Sequence, residues 1–140
     1  TQDRKLREYI LTRLVRMRSG NSEDVVKRII YNFKDIWLRM YATRILATLP
    51  NKSGHPIIID LIKNDKMDNR IRIEAIRMAG ALNLKSLRGY LKRKIYTTTD
   101  SYTRYVIKNA LVKMGENAND LNEILKNIDK RERLRIYGGR

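Results

Sequence analysis

Residues 68–82, DNRIRIEAIRMAGAL, decide the fold. Asp68 opens the stretch, Arg72 follows four residues later, and Ala75, Ala79 and Leu82 recur at intervals of three or four, so they line one helical face. Asp suits the residue before a helix, because its carboxylate accepts an otherwise unpaired N–H of the first turn. The same pattern occurs three more times: DRKLREYILTRLVRM from Asp3, DIWLRMYATRILATL from Asp35 and DSYTRYVIKNALVKM from Asp100. Arg7, Arg39, Arg72 and Arg104 therefore stand at successive spacings of 32, 33 and 32 residues. The apolar positions keep step, as Ile10, Ala42, Ala75, Ile107; Leu14, Leu46, Ala79, Leu111; and Met17, Leu49, Leu82, Met114. A fixed period of this length is the signature of a repeat architecture.

Second apolar segments separate these helices: VVKRIIYNF from Val25, PIIIDLIKN from Pro56, SLRGYLKRKI from Ser86 and LNEILKNI from Leu121. Ser22, Ser53 and Ser86 sit near their starts, Pro56 fits a first turn, Gly20 and Gly115 read as stops, and Pro50 ends the second Arg-bearing helix. Ile57–Ile59 is short enough for a strand, but it lies within a helix-length unit of the repeat. The expectation is an all-α chain of about eight helices in four pairs.

The pattern resembles the HEAT-repeat family, including its phycobilisome-lyase-type members, with IRIEAIRMAGAL after Asp68 the nearest match and WLRMYATRILATL next. The resemblance covers the chain to about residue 129 and implies a right-handed α-α superhelix, a short solenoid. Residues 1–129 then form one domain and residues 130–140, KRERLRIYGGR, a basic arm. The chain begins on an Arg-bearing helix with no companion before it, and Arg13 occupies a column filled elsewhere by Ile45, Met78 and Ala110. Both departures fit a capping repeat or a cut from a longer array. The resemblance also implies an Asp–Arg ladder between repeats, built from Asp3, Arg7, Asp35, Arg39, Asp68, Arg72, Asp100 and Arg104.

The 140 residues carry 31 Lys and Arg against 15 Asp and Glu, a net charge of +16. Basic and acidic residues number 11 and 5 in residues 1–50, 11 and 5 in 51–100, and 9 and 5 in 101–140, so the excess is general. A field of this sign attracts nucleic acid or another polyanion. The lack of Cys excludes disulfides, thiolate zinc sites and a Cys nucleophile, and His55 alone gives neither a two-His metal site nor a His relay. No apolar run reaches the roughly 20 residues of a membrane span, so the expectation is a soluble cytoplasmic protein without cofactor.

Positions two before, two after, five after and nine after each column Arg point away from the apolar face. They give Lys5, Trp37, Arg70, Tyr102; Tyr9, Tyr41, Glu74, Val106; Thr12, Arg44, Arg77, Asn109; and Arg16, Thr48, Ala81, Lys113. In HEAT arrays the corresponding helices line the concave face. Carried over, that implies a groove with Lys5, Arg16, Arg44, Arg70, Arg77 and Lys113 for phosphates and Trp37 and Tyr102 for stacking. A second basic patch comprises Arg88, Lys92, Arg93 and Lys94 with Arg131, Arg133 and Arg135 of the arm. The reading is a non-enzymatic DNA- or RNA-binding protein; the alternative is a scaffold for an acidic protein partner. HEAT-like alkylpurine DNA glycosylases supply one enzyme comparison, with Glu74 as the groove's carboxylate, but their catalytic motif does not map onto this chain.

Overall fold

The computed structural model describes residues 2–17 and 22–137, except the side chains of residues 2, 3, 10 and 14–17. The described residues form eight α-helices and no strand: α1 (Gln2–Met17), α2 (Ser22–Asn32), α3 (Ile36–Ile45), α4 (His55–Lys63), α5 (Asn69–Ala81), α6 (Arg88–Thr97), α7 (Ser101–Lys113) and α8 (Ala118–Tyr137). Ile57–Ile59 is helical, inside α4.

Three of the four expected caps are made. Asp35 accepts the N–H groups of Trp37 and Leu38 at 3.0 and 3.2 Å, Asp68 that of Arg70 at 2.9 Å, and Asp100 those of Tyr102 and Thr103 at 3.3 and 3.2 Å. All three carboxyls are held below the ordinary carboxylate range, Asp35 chiefly by its Leu38 N–H bond, Asp68 by the Arg70 guanidinium and Asp100 by the Thr103 hydroxyl, with the cap bonds adding to the last two. Asp3 stands inside α1 rather than before it, and its side chain lies outside the described residues. The side chains of Ile10, Leu14, Arg16 and Met17, and Gly20 altogether, also lie outside them. Pro50 acts at a distance: Leu49 before it is extended at ψ 143°, and helical structure has already tightened into a 3-10 turn at Leu46–Thr48. Gly115 has φ +103°, as expected of the residue after a helix end. Ser53 and Ser86 lie in or beside short 3-10 turns and cap nothing.

Helices α1, α3, α5 and α7 pack in sequence, each against the next. The others form a second layer in which α2 packs on α3, α4 on α5, and α6 on α7. The close pairs are thus a companion and the Arg-bearing helix that follows it. After α3, its 3-10 turn meets α4. Successive companions meet through side chains, as where the Tyr31 hydroxyl of α2 donates to Asp60 of α4 at 2.5 Å. Burial, Asp60's hydrogen bond and its charge together push the Tyr31 phenol well above its ordinary range.

The core follows the periodic columns. Ala42, Ala75, Ile107, Leu46, Ala79, Leu111 and Met114 are buried, joined from the companions by Val26, Ile30, Ile58, Leu61, Leu91 and Ile95. Each large aliphatic side chain contributes roughly 1.5–3 kcal/mol by leaving water. Small residues set how closely the layers approach. A Cβ on Gly80 would fall 2.8 Å from Ala110 Cα, so glycine allows α5 to sit directly on α7. A Cβ on Gly54 would fall 2.0 Å from the Leu46 carbonyl oxygen, against backbone that cannot yield cheaply. Gly54→Ala is therefore expected to cost about 2–3 kcal/mol or more, read as a lower urea midpoint with unchanged slope.

The basic arm is not a separate element. Residues 130–137 continue α8, so the expected boundary at residue 129 falls inside a helix. The Gly-Gly that suggested an unpacked tail lies beyond the described residues, while Leu134, Ile136 and Tyr137 of the helical segment are exposed. Arg104, 2% exposed, fixes this segment. Its Nη1 donates to the Thr98 carbonyl at 2.6 Å and to Glu132 at 3.0 Å, and its Nη2 donates to Glu132 at 3.1 Å. Asp129 adds an ion pair at 3.6 Å.

Candidate nucleic-acid interface

The positions two before each column Arg lie near the N-terminal ends of the stacked helices and face solvent. Lys5 and Arg70 are exposed, with Trp37 52% and Tyr102 50% exposed. Arg44, Arg77 and Lys113 are also exposed, and Thr12 and Asn109 are half-buried beside them. The column two after the Arg differs from expectation. Tyr9 is exposed and Tyr41 half-buried, but Glu74 and Val106 are buried. This column runs along the seam between successive helices. There the Tyr41 hydroxyl of α3 hydrogen-bonds the Thr12 hydroxyl of α1 at 2.8 Å.

Glu74 is the centre of the arrangement. It lies 3.4 Å from Arg44 Nε of α3 and 3.2 Å from Arg77 Nη1 of its own helix, so one buried carboxylate holds two exposed guanidinium groups. Arg70, one turn before Glu74 on the same helix, instead bonds Asp68 through both Nε, at 3.1 Å, and Nη2, at 2.9 Å. Arg77 also donates from Nη2 to the Tyr102 hydroxyl. Three of the cations on this face are therefore fixed in direction and partly neutralised, while Lys5 and Lys113 have no ion pair among the described residues.

Aromatic rings and cations alternate along this face. Arg4 stacks on Trp37 at 4.9 Å from the ring centroid, Arg44 on Tyr41 at 5.9 Å, Arg77 on Tyr102 at 5.8 Å and Lys108 on Tyr105 at 5.4 Å. Such contacts hold a flat side chain at the surface in one orientation. Arg4 and Tyr105 were not singled out by the sequence. Tyr105 follows a column Arg, where Glu8, Met40 and Ile73 stand elsewhere, so the repeat register gave it no outward assignment. It is 53% exposed and shares a cavity of about 270 Å³ with Arg77, Asn109 and Lys113.

The second basic patch divides. Arg88 and Lys92 grip Glu116 at 2.6 and 3.0 Å, fastening α6 to the α7–α8 turn and holding that carboxyl below its ordinary range. Lys94 reaches only to 3.9 Å from Asp65. Arg93, Arg131, Arg133 and Arg135 are exposed; Arg131 and Arg135 line one cavity with Tyr96.

Three of the four column arginines reach a residue 28 positions on, each of a different type, and Arg72 does not. Arg7 pairs with Asp35 at 2.5 Å, and Arg104 with Glu132. Arg39 donates to the Ile30 carbonyl at 2.7 Å and to Met67 sulfur at 3.5 Å, and acts on Asp68 only through its charge. Arg72 bonds backbone carbonyls and not Asp100. The ladder is continuous in position but not in ion pairing.

Comparison with family models, with curated proteins and with solved structures returns no match to this chain. Among the described residues no helix is long and apolar enough to cross a membrane, and no group of three His, Cys, Asp or Glu side chains could hold a metal ion.

Proposed function

We propose that the protein is a non-enzymatic nucleic-acid-binding module whose four Arg-bearing helices line the concave side of a short, right-handed HEAT-like solenoid. The close succession of α1, α3, α5 and α7, against companions that meet through side chains, supports that curvature, since the inner layer of a bent array is the compressed one. The observation that carries the functional reading is the alternation of half-exposed Trp37, Tyr102 and Tyr105 with Arg and Lys on this face. Cations there meet phosphates, and flat rings stack on unpaired bases or sugars. Cations outnumber other polar groups on this face, which favours recognition mainly of the backbone.

Glu74 supports binding over catalysis. A buried carboxylate claimed by two guanidinium groups serves to position them, and a glycosylase-like acid needs freedom to meet its substrate. Glu74→Gln removes one negative charge from the middle of the groove and releases Arg44 and Arg77. Affinity for a DNA or RNA duplex and for single strands, measured by mobility shift, is expected to rise about fivefold, roughly 1 kcal/mol. Unchanged binding places the site elsewhere. Loss of base excision without tighter binding supports the enzyme instead, and binding restricted to acidic peptides supports the scaffold.

A further inference from the structure

A polar cavity of about 290 Å³ lies among α5, α6 and the start of α7, and none of its walls belongs to the aromatic–basic face. By register it occupies the third step of the arginine ladder. At the first step Arg7 meets Asp35, and at the last Arg104 meets the carboxylate of Glu132. At the third, Asp100 stands 28 residues after Arg72 but makes no ion pair with it among the described residues. The cause is Thr103. Its hydroxyl donates to Asp100 Oδ2 at 2.5 Å, while the N–H groups of Tyr102 and Thr103 occupy both carboxylate oxygens. Leu6, Leu38 and Ile71 hold the corresponding positions elsewhere, so no other repeat supplies this hydroxyl.

Arg72 is consequently left short of acceptors. Its Nη2 donates to the carbonyls of Met67 at 2.9 Å and Asp65 at 3.4 Å, while Nε is buried with no partner. A buried donor of a charged group without an acceptor is costly and uncommon. Lys94, whose nearest carboxylate is 3.9 Å away, lines the same cavity, as do Thr97, Thr99 and Asp100, the last with its carboxylate held by Thr103 and the α7 cap. Tyr90, Leu91 and Ile107 form an apolar wall.

We propose that this cavity binds a small oxyanion, a carboxylate or a phosphate monoester, carried on a compact and partly apolar body. The oxyanion takes the place that Glu132 takes on Arg104, accepting from Arg72 and Lys94, with the Thr99 hydroxyl as a further donor. The volume corresponds to roughly ten waters, more than a bare ion fills, and the aromatic and aliphatic wall suits the remainder.

Phenyl phosphate and benzoate are suitable probes, followed through the Arg72 Nε–H and Thr99 amide signals by NMR. One probe or both should give saturable shifts with Kd on the order of 1 mM, normal for a ligand this small. Which probe saturates assigns phosphate or carboxylate. Lys94→Met is expected to weaken binding at least about fivefold, whereas a variant carrying Lys5→Glu, Arg70→Glu and Lys113→Glu leaves it unchanged. Should Arg72→Lys, which removes the unpartnered donor, fail to fold, Lys94→Met still decides the matter. No saturation by either probe up to about 20 mM, or equal affinity in Lys94→Met, overturns the proposal.

Discussion

Changing Lys5, Arg70 and Lys113 together to Glu is expected to weaken nucleic-acid binding about a hundredfold near physiological salt, with helicity unchanged. All three side chains are exposed, and together they sample three of the four stacked helices. Each reversal removes an attraction and adds a repulsion, each up to about 1 kcal/mol at contact in water. Screening at this ionic strength halves such a sum, and about 2.7 kcal/mol corresponds to a hundredfold. The choice of residues matters. Arg44 and Arg77 look equally suitable in the sequence, but both hold the buried Glu74, so reversing them would cluster three carboxylates and disturb the fold. Circular dichroism with a salt-matched binding titration checks the result, and wild-type affinity in the folded triple variant moves the interface off this face.

Arg104→Ala is expected to have the largest effect on stability of any single ladder substitution, about 3 kcal/mol. Arg104 is almost wholly buried and places three hydrogen bonds on three oxygens of two residues, Thr98 and Glu132, that hold α6, α7 and α8 together. Hydrogen bonds of a charged group are worth about 1.5–3 kcal/mol each, and those to Glu132 are discounted because that carboxylate is 32% exposed. For a chain of this size the loss lowers Tm by about 6–12 °C. Amides in the last turns of α8 should exchange faster with solvent, since Glu132 and Asp129 lose the group that anchors them. Joint replacement, Arg104→Met with Glu132→Leu, removes both charges and is expected to lie within about 1 kcal/mol of wild type. A single variant as stable as wild type means that α8 is held by its apolar side alone.

The helices were legible because Asp caps and 3.6-residue columns are local signals, readable within fifteen residues. The fate of the charges was not. Glu74 was placed on the outward face by its angle on one helix, yet the neighbouring helix covers that angle and turns it into a buried clamp for Arg44 and Arg77. The ladder was visible as spacing, but its pairing depends on the neighbours of each Asp: a leucine after Asp35 leaves it to Arg7, whereas Thr103 takes Asp100 away from Arg72. Composition around the last Gly-Gly suggests an arm, but it carries no sign of the bond between Glu132 and Arg104, 28 residues away. Tyr105 carries no such signal, since Glu8, Met40 and Ile73 follow the other column arginines.

The central claim, that this face binds nucleic acid through its phosphates, is tested most directly by affinity for a labelled duplex and a single strand as salt rises from about 50 to 300 mM. With six phosphate contacts, each releasing about 0.9 of a counterion on duplex DNA, the plot of log affinity against log salt should have a slope near −5. A flat plot over that range, or no binding at its low end, would contradict it.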